Sequence, residues 1–351
     1  MVDLRGLSSW ARRGALRLAK SAGLFHAIAH SGWRRRHLAI LTYHGVATAD
    51  EHLWNPSLFL SVDTFRASLE VLRRTACNVL PLAEAVERAF RGDLPSRAVS
   101  LTFDDGNFDF LRNAMPILRE FGFPATNFVS TFYVELQRPV FNPVCRYLLW
   151  KGRGRALAPH GLAEGSEPLS TEDQAARRRS FARIYEFTRR ANLSGAEKQE
   201  IVALLAARLE VDLEALTAAR LFHLMSADEL RALPRDLIDV QLHTHRHRTP
   251  RDRELFLAEI ADNRAALVRA LGPDRRFTHF CYPSGDYVPE YVSWLQEAGI
   301  DLAVTSDVRL ASACSHRMLL PRIAVTTGMR SLELEAWVTG ARQLLPRRRS
   351  G

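Results

Sequence analysis

Two short clusters in the sequence combine residue types that hold a metal and move protons. Asp104 and Asp105 stand side by side before a glycine, and His243, His245 and His247 lie within five residues. Two imidazoles with one carboxylate can bind a divalent metal and leave positions open for water and substrate. Adjacent side chains on an extended chain point in opposite directions, so one aspartate can face a metal while the other faces a substrate. The alternatives without chemistry are an Asp-Asp-Gly turn and a surface histidine cluster.

Both clusters follow predicted strands in a regular alternation of strands and helices. Short apolar, β-prone segments predict seven strands, at 38–42, 98–103, 125–130, 237–242, 277–282, 301–305 and 319–325. Helical patterns separate most of them, which predicts a parallel sheet, either open or closed into a barrel. Active sites of parallel α/β folds lie at the carboxyl ends of the strands, where both clusters fall.

The alternation is interrupted over residues 133–225, where the sequence is charged, alanine-rich and helical. Ser194 with Glu197 forms a capping-box pair, which marks the start of a helix. We interpret this block as a helical insertion or lid carried by a single main domain, which spans residues 38–340.

The net charge of +9 comes from the two ends of the 351-residue chain. Residues 1–37 hold eight Arg or Lys and one Asp, and residues 341–351 hold four arginines and no acid. The body between them is close to neutral, which argues against a nucleic-acid-binding body. No apolar run of roughly 18 residues predicts a transmembrane helix. The four widely separated cysteines favour a reduced compartment.

The N-terminal segment has the pattern of a basic amphipathic helix. Apolar residues recur every three or four positions, at Leu4, Leu7, Ala11, Ala15, Leu18, Ala22, Phe25 and Ala29. Such a helix can lie on an anionic membrane surface, and the alternative is a helix packed on the body through the same stripe. The segment lacks the uninterrupted apolar core of a signal peptide. We therefore expect a cytoplasmic location, with association at the inner membrane face if the first alternative holds.

Three motifs resemble those of the polysaccharide deacetylases, also called the NodB-homology or carbohydrate esterase family 4 group. Residues 102–106 (Thr-Phe-Asp-Asp-Gly) are similar to the first motif, and residues 243–247 (His-Thr-His-Arg-His) match the second, a His-[Ser/Thr]-x-x-His pattern. Residues 282–285 (Tyr-Pro-Ser-Gly) resemble the third. The likeness covers residues 38–132 and 226–330, with the insertion between them.

The resemblance implies a distorted (β/α)7-type barrel and metal-dependent removal of N-acetyl groups from amino sugars. Asp105, His243 and His247 would hold a divalent metal; the ligands favour zinc, although cobalt, nickel or iron would also fit them. Asp104 would be the general base. The backbone N–H of Ser284 would lie near the developing oxyanion.

Two features of the family pattern are missing. Many members carry a base-orienting arginine two residues before the proline of the third motif, where this chain has Cys281. A late Leu-x-His motif, whose histidine is the general acid, has no clear copy, and the context of His316 does not fit it. His44 is a candidate for a substrate or acid role. Arg322 is a candidate for the same roles. Arg322 and Asp307 could also tune the base; the alternatives are an ion pair for Arg322 and a turn cap for Asp307, and the acid stays unassigned.

These inferences predict a hydrolase that acts on a carbon–nitrogen bond other than a peptide bond. Its substrate would be an N-acetylated polysaccharide, a glycolipid or a lipid-linked sugar. The alternative on the same fold is a catalytically impaired protein that binds a glycan. A mononuclear iron oxygenase also uses two histidines and a carboxylate, but its usual His-x-Asp spacing is absent.

Overall fold

A curled sheet of parallel strands forms the centre of the computed structural model, which describes residues 9–344. Its strands β1 to β7 are His37–Tyr43, Ala98–Phe103, Ala125–Val129, Ile238–Leu242, His279–Cys281, Leu302–Val304 and Ile323–Ala324. They are hydrogen-bonded in the order β6-β5-β4-β3-β2-β1-β7. Leu320, just before β7, forms a parallel bridge to Val304 in β6. The last segment therefore joins the two edges of the sheet, and the predicted distorted barrel is confirmed.

Both faces of the central strands are covered, which explains why their sequences are continuous apolar runs. All six residues of β2 are buried, as are residues 38–43 in β1. Leu41 packs into the main hydrophobic core, whereas Leu38 and Ile40 belong to a second cluster that includes Phe128. Because alternate residues of one strand enter two different cores, the register of each strand is strongly specified.

Helices surround this sheet. The α-helices of the described chain are Ser9–Ser21, Leu24–Ala29, Glu51–Trp54, Val62–Arg74, Leu82–Arg91, Met115–Phe121, Phe132–Leu136, Phe141–Lys151, Gln174–Arg190, Gly195–Leu209, Leu213–Ala218, Ala227–Ala232, Arg253–Leu271, Glu290–Glu297, Ser331–Thr339 and Ala341–Leu344. A π-helical turn, Phe110–Ala114, precedes the sixth of them. Short 3₁₀ turns lie at Arg34–Arg36, Pro283–Gly285 and Arg317–Leu319. Short strands outside the central seven are Gly45–Val46, Phe59–Leu60, Asn78–Val79, Ala156–Leu157, Leu169–Ser170 and Ala311–Ser312.

The block at 133–225 is mainly helical, and most of its buried apolar residues form a further hydrophobic cluster together with Ala47 and Phe59. Its longer helices contribute the buried residues Val144, Leu148, Ile184, Val202 and Leu205. Its end returns to the barrel beside the Asp-Asp-Gly turn. Phe108 N donates to the His223 carbonyl at 2.8 Å, and Met225 N donates to the Gly106 carbonyl at 3.0 Å. The insertion is therefore attached directly to the turn that carries the predicted catalytic pair.

A continuous amphipathic helix at the N-terminus is not confirmed. The described residues form two helices, Ser9–Ser21 and Leu24–Ala29. Gly23 separates them in the left-handed conformation, with φ of 73°, which an α-helix cannot continue through. Leu4 and Leu7 of the predicted stripe lie outside the described residues.

The break at Gly23 also changes which face of the segment is buried. Leu18 belongs to the predicted stripe but is 71% exposed, whereas Leu16 is buried. Leu16 and Phe25 pack with Ala336 and Ala341 in a small hydrophobic cluster. The stripe fails because its spacing assumes one uninterrupted helix, and the turn rotates the second helix relative to the first.

Candidate metal centre and catalytic pair

The turn after β2 separates the directions of Asp104 and Asp105. Asp104 extends the strand and is only 4% exposed. Asp105 has φ of 76°, and Gly106 follows with φ of 82°. A Cβ on Gly106 would lie 2.7 Å from Val129 Cγ1, so only glycine fits this position. A non-glycine residue in the left-handed region carries backbone strain, which is common at functional sites.

Asp105 meets two of the histidines predicted as metal ligands. Its Oδ1 lies 3.3 Å from His243 Nε2 and 3.2 Å from His247 Nε2. The ligand atoms of the three residues all lie within 4.8 Å of one another. In a tetrahedral zinc site with bonds of about 2.0–2.2 Å, ligand atoms lie about 3.3 Å apart. The spacing of these three side chains therefore fits a single divalent cation.

The side chains of Asp105, His243 and His247 also influence one another electrostatically. Burial would raise the pKa of Asp105, but hydrogen bonds with His243 and His247 outweigh it and hold that pKa well below its usual range. Burial would lower the pKa of His247, but the Asp105 carboxylate raises it. A bound cation would take over the role of these protons, because ligating imidazoles must be deprotonated.

Backbone and side-chain contacts fix the orientation of His243. Its Nδ1 lies 2.8 Å from the Cys281 carbonyl oxygen, and a proton donated there leaves the Nε2 lone pair for a metal. The His243 N–H donates to Asn263 Oδ1 at 2.9 Å, and Asn263 Nδ2 donates to Thr131 Oγ1 at 3.0 Å. His245 Nδ1 lies 2.9 Å from the same Thr131 oxygen and takes no part in the ligand cluster.

A buried glutamate supports the turn that presents His247. Glu259 is 1% exposed, and its carboxylate accepts from Arg246 N at 2.7 Å and from Arg248 Nε at 2.6 Å. These two residues flank His247, which adopts φ of 53°. The ion pairs with two arginines compensate for burying the Glu259 charge, and they hold the strained turn in place.

Glu259 and Asn263 were not singled out by sequence reasoning. Both lie on helix Arg253–Leu271, four residues apart, and both are buried. Phe256 and Ile260 are buried on the same helix. A Glu and an Asn one helical turn apart, among residues at core spacing, are the signal that would have found this pair.

Asp104 forms an ion pair with Arg322, a residue outside the cluster of Asp105, His243 and His247. Arg322 Nη1 donates to Asp104 Oδ1 at 2.7 Å, and Nη2 donates to Oδ2 at 2.8 Å. Arg322 Nε donates to the Thr305 carbonyl at 2.9 Å, and its Nη2 lies 3.1 Å from Cys281 Sγ. Cys281 stands where many members of the resembled family have their base-orienting arginine, and here its small thiol packs against the guanidinium of Arg322, the residue just before β7.

This ion pair fixes the charge of Asp104. Burial alone would raise the pKa of Asp104, but the charge and hydrogen bonds of Arg322 lower it from 3.8 to about 2. Burial raises the pKa of the Cys281 thiol well above its ordinary value. Asp104 is therefore an ionised carboxylate at neutral pH, beside a neutral thiol.

Two further candidates lie at the carboxyl ends of strands. His44 follows β1, and its Nε2 lies 3.7 Å from Asp104 Oδ2 with 27% of its side chain exposed. Ser284 is exposed in the turn after β5, with φ of 59°. Within residues 9–344, no hydrogen bond or ion pair links the Ser284 side chain to Asp104 or Asp105, so its role rests on its backbone N–H and stays a prediction.

The structure gives Asp307 and His316 roles away from the carboxylate pair. The Asp307 carboxylate accepts from Tyr287 at 3.4 Å, and its carbonyl accepts from Arg322 N at 2.9 Å. His316 is exposed and caps the turn Arg317–Leu319. Among the described residues, neither side chain contacts the ligand cluster or the base.

Known proteins share this arrangement of strands and part of the sequence. The profile of the family described as Polysaccharide deacetylase matches residues 91–161, which include the Asp-Asp-Gly turn. The fold is similar to the Streptococcus pyogenes deacetylase PplD in complex with acetate, with a TM-score of 0.56 and 18% identity over 88% of this chain and 99% of that one. It is also similar to IcaB from Ammonifex degensii, with a TM-score of 0.53 and 19% identity over 86% of this chain and 97% of that one. The chain therefore resembles these deacetylases in fold and, over residues 91–161, the polysaccharide deacetylases in sequence.

A relative with an assigned activity matches a short part of this chain. The poly-beta-1,6-N-acetyl-D-glucosamine N-deacetylase of Staphylococcus epidermidis is 30% identical over 70 residues. The match covers 20% of this chain and about a quarter (24%) of that relative's length. The family profile also extends beyond residue 133, so family likeness continues into the first part of the predicted insertion.

Proposed function

We propose that this protein is a metal-dependent hydrolase that removes N-acetyl groups from amino sugars of a polysaccharide. The observation that carries the proposal is the separation of the two adjacent carboxylates. Asp105 lies with His243 and His247 at metal-ligand spacing, whereas Asp104 is bound to Arg322 and stays ionised. Metal-dependent hydrolysis of an amide uses these two roles, and a protein that only binds a glycan needs neither.

The ligand set supports a divalent metal, and we propose zinc. Asp105 and the Nε2 atoms of His243 and His247 would hold it. A divalent metal at this point supplies a Lewis acid, which polarises an amide carbonyl and lowers the pKa of water to about 7.

Asp104 would take the proton from the attacking water. A carboxylate with a low pKa is a weak base, but it is ionised over the whole working range of pH. A weak base is enough for a water molecule whose own pKa a metal would lower. The two hydrogen bonds from Arg322 fix the plane of the Asp104 carboxylate. The remaining lone pairs of its oxygens therefore point in a fixed direction. Buried on all other sides, Asp104 loses little freedom when the substrate binds.

The remaining roles fall to groups at neighbouring strand ends. The backbone N–H of Ser284 would stabilise the oxyanion of the tetrahedral adduct, an effect of roughly 3–4 kcal/mol in other enzymes. His44 would donate the proton that the departing amine needs, because an imidazole can act as a general acid and this one lies beside the base with part of its side chain exposed. Its position 3.7 Å from Asp104 supports this assignment.

An assay of acetate release tests the proposed reaction. We expect the zinc-loaded protein to release acetate from N-acetylglucosamine oligomers and to stop when the metal is chelated. Asp104→Asn should bind zinc as well as the wild type but release acetate at least about a hundredfold more slowly. Undiminished release by Asp104→Asn would exclude this base, and binding of the oligomer without any release by the wild type would favour a glycan-binding protein.

The substrate we propose first is a polymer of N-acetylglucosamine, because the matched Staphylococcus epidermidis relative carries that polymer in its name. A lipid-linked N-acetylated sugar presents the same amide and is the second substrate to compare. Parallel assays with the free oligomer and with a lipid-linked N-acetylglucosamine in detergent would separate them. Faster release from the lipid-linked sugar would overturn the choice of the polymer.

A further inference from the structure

The N-terminal and C-terminal helices of the described chain meet on one side of the molecule. Helix Ala341–Leu344 contacts helix Leu24–Ala29, and Phe25 and Ala341 share one hydrophobic cluster. The neighbouring Gly340 approaches Ile28, with which a Cβ would be in contact at 3.4 Å. Segments that are more than 300 residues apart in the sequence therefore build one surface. We call helices Ser9–Ser21, Leu24–Ala29 and Ala341–Leu344, with Arg35 and Arg36, the terminal surface.

The charge of the terminal surface has one sign. No acidic residue occurs between Asp3 and Asp50, or after Glu335. Arg17, Arg35 and Arg36 are exposed and form no ion pair with any residue in 9–344. Lys20 is the exception, since it pairs with Glu335 at 2.7 Å.

Large apolar side chains are exposed among these positive charges. The large hydrophobic residues that are exposed in the described chain are Leu18, Leu24, Leu53, Leu58, Val62, Leu136, Tyr185, Leu255, Val308 and Leu344. Three of these ten belong to the terminal surface, and Leu18 is the most exposed of them all at 71%. Basic side chains mixed with exposed leucines are typical of surfaces that lie on anionic lipid.

The terminal surface lies towards the end of the sheet opposite to the metal centre. Buried Arg34 links it to the barrel: Nε donates to the Val338 carbonyl at 2.8 Å, and Nη2 donates to the Ala98 carbonyl at 3.0 Å. Ala98 is the first residue of β2, and Asp104 follows the last one. A partner bound at the terminal surface therefore leaves the catalytic end of the barrel open.

We propose that the terminal surface docks the protein on an anionic lipid bilayer. Arginines supply the attraction to lipid phosphates, and Leu18, Leu24 and Leu344 supply apolar area that can enter the interface. A nucleic acid or an acidic glycan would use the arginines but gains nothing from the leucines, so the bilayer fits both features. In the part of the chain that the structure describes, no helix combines the length and apolar character needed to span a membrane. Docking would thus be peripheral, and the cytoplasmic location expected from the sequence stays a prediction.

Combined with the proposed function, this docking favours a polymer over a lipid-anchored sugar as the substrate. The catalytic residues would face away from the bilayer, where a glycan chain can reach them and a sugar at the lipid surface cannot. Membrane binding is measured without any catalysis, so a failure of docking and a failure of the proposed reaction give different results.

Vesicle flotation tests the docking surface with the full chain. We expect the wild type to float with vesicles of phosphatidylglycerol and phosphatidylcholine, to stay behind with phosphatidylcholine alone, and to detach as the salt concentration rises. Arg17→Gln combined with Arg35→Gln and Arg36→Gln should weaken partition about a hundredfold. Leu18→Gln with Leu24→Gln should weaken it about tenfold or more. Deleting residues 1–37 is a poor substitute, since it also removes Arg34 from the start of the barrel.

Matched variants elsewhere control for general loss of charge and apolar surface. Arg178→Gln with Arg179→Gln removes exposed arginines of the insertion, and Leu255→Gln removes a leucine that is 53% exposed. Both should float like the wild type. Equal flotation by the triple arginine variant, or capture by heparin without binding to phosphatidylglycerol vesicles, would overturn the proposal. The salt titration of the unmodified protein keeps the test valid if a variant does not fold.

Discussion

Asp104 and Arg322 form a two-pronged ion pair inside the barrel, with N···O distances of 2.7 and 2.8 Å. Both side chains are buried, at 4% and 1% exposure. They come from opposite parts of the sequence, but β1 alone lies between their strands, because β1 pairs with both β2 and β7. The pair determines both the direction and the charge of the proposed base.

Replacement of Arg322 by lysine should lower kcat with little change in KM. Lysine keeps the positive charge but cannot reproduce two parallel hydrogen bonds to one carboxylate. Misplacement of a catalytic group by about 1 Å can lower the rate about a hundredfold. We therefore expect a reduction of about a hundredfold in the kcat of acetate release, while zinc content stays at the wild-type level.

An arginine placed on β5 should restore part of the activity that is lost when Arg322 is removed. Cys281→Arg places a guanidinium at the position where many family members carry it, and Arg322→Ser makes room for it. The double variant should be faster than Arg322→Ser alone. Arg317, which is half-buried and pairs with Glu87, offers a control: Arg317→Lys should leave kcat unchanged. No rescue by Cys281→Arg would mean that the two arginine positions are not equivalent.

Metal content should separate the histidines of the second motif. His247→Ala removes one of the three side chains that we propose as ligands, whereas His245→Ala removes a side chain that is hydrogen-bonded to Thr131. Losing a supporting residue costs about 10- to 100-fold in metal affinity in known sites, so losing a ligand should cost more. We expect His247→Ala to be purified nearly free of zinc and His245→Ala to keep it. Elemental analysis after dialysis measures this, and equal zinc in both variants would contradict the assigned ligand set.

The strands and the ligand cluster were predictable because they depend on local patterns. Buried parallel strands have continuous apolar runs, and residues at their carboxyl ends meet at one edge of a sheet. Asp105, His243 and His247 each follow such a run, so their meeting required only the order of the strands. The residue types of these three side chains, and their positions directly after strands, were enough to predict the cluster.

The contacts of Arg322 with Asp104 and Cys281 could not be predicted from local patterns. Cys281 and Arg322 lie 41 residues apart, and neither residue type shows that one packs against the other. The contact depends on which strand closes the barrel beside β1, and a short apolar segment does not encode its neighbour. The N-terminal stripe failed for a related reason, because one left-handed residue, Gly23, divides the helix.

Gly106 should contribute to the stability of the fold through the turn that carries Asp105. In Gly106→Ala, the new methyl group meets Val129 Cγ1 at 2.7 Å, and the backbone has φ of 82°. We expect a loss of about 2–4 kcal/mol in the free energy of unfolding. Gly122→Ala is the matched control, with φ of 66° and no atom within 4 Å of the new Cβ; its cost should be about 1 kcal/mol. Equal losses in urea unfolding would show that the contact with Val129 is easily relieved.

The ion pair of Asp104 should also appear in the pH dependence of stability. The pKa of Asp104 is lowered from 3.8 in the ordinary carboxyl to about 2 in the folded protein, so its contribution is complete above pH 4 and is lost as the pH falls through 2. The difference corresponds to about 2 kcal/mol, of which roughly half should be lost by pH 3. Asp104→Asn removes the titrating group and leaves Arg322 unpaired at every pH. The gap in the free energy of unfolding between wild type and Asp104→Asn should therefore narrow by about 1 kcal/mol between pH 6 and pH 3. Urea unfolding at both values measures the gap, and a constant gap would mean that Arg322 does not hold the pKa of Asp104 down.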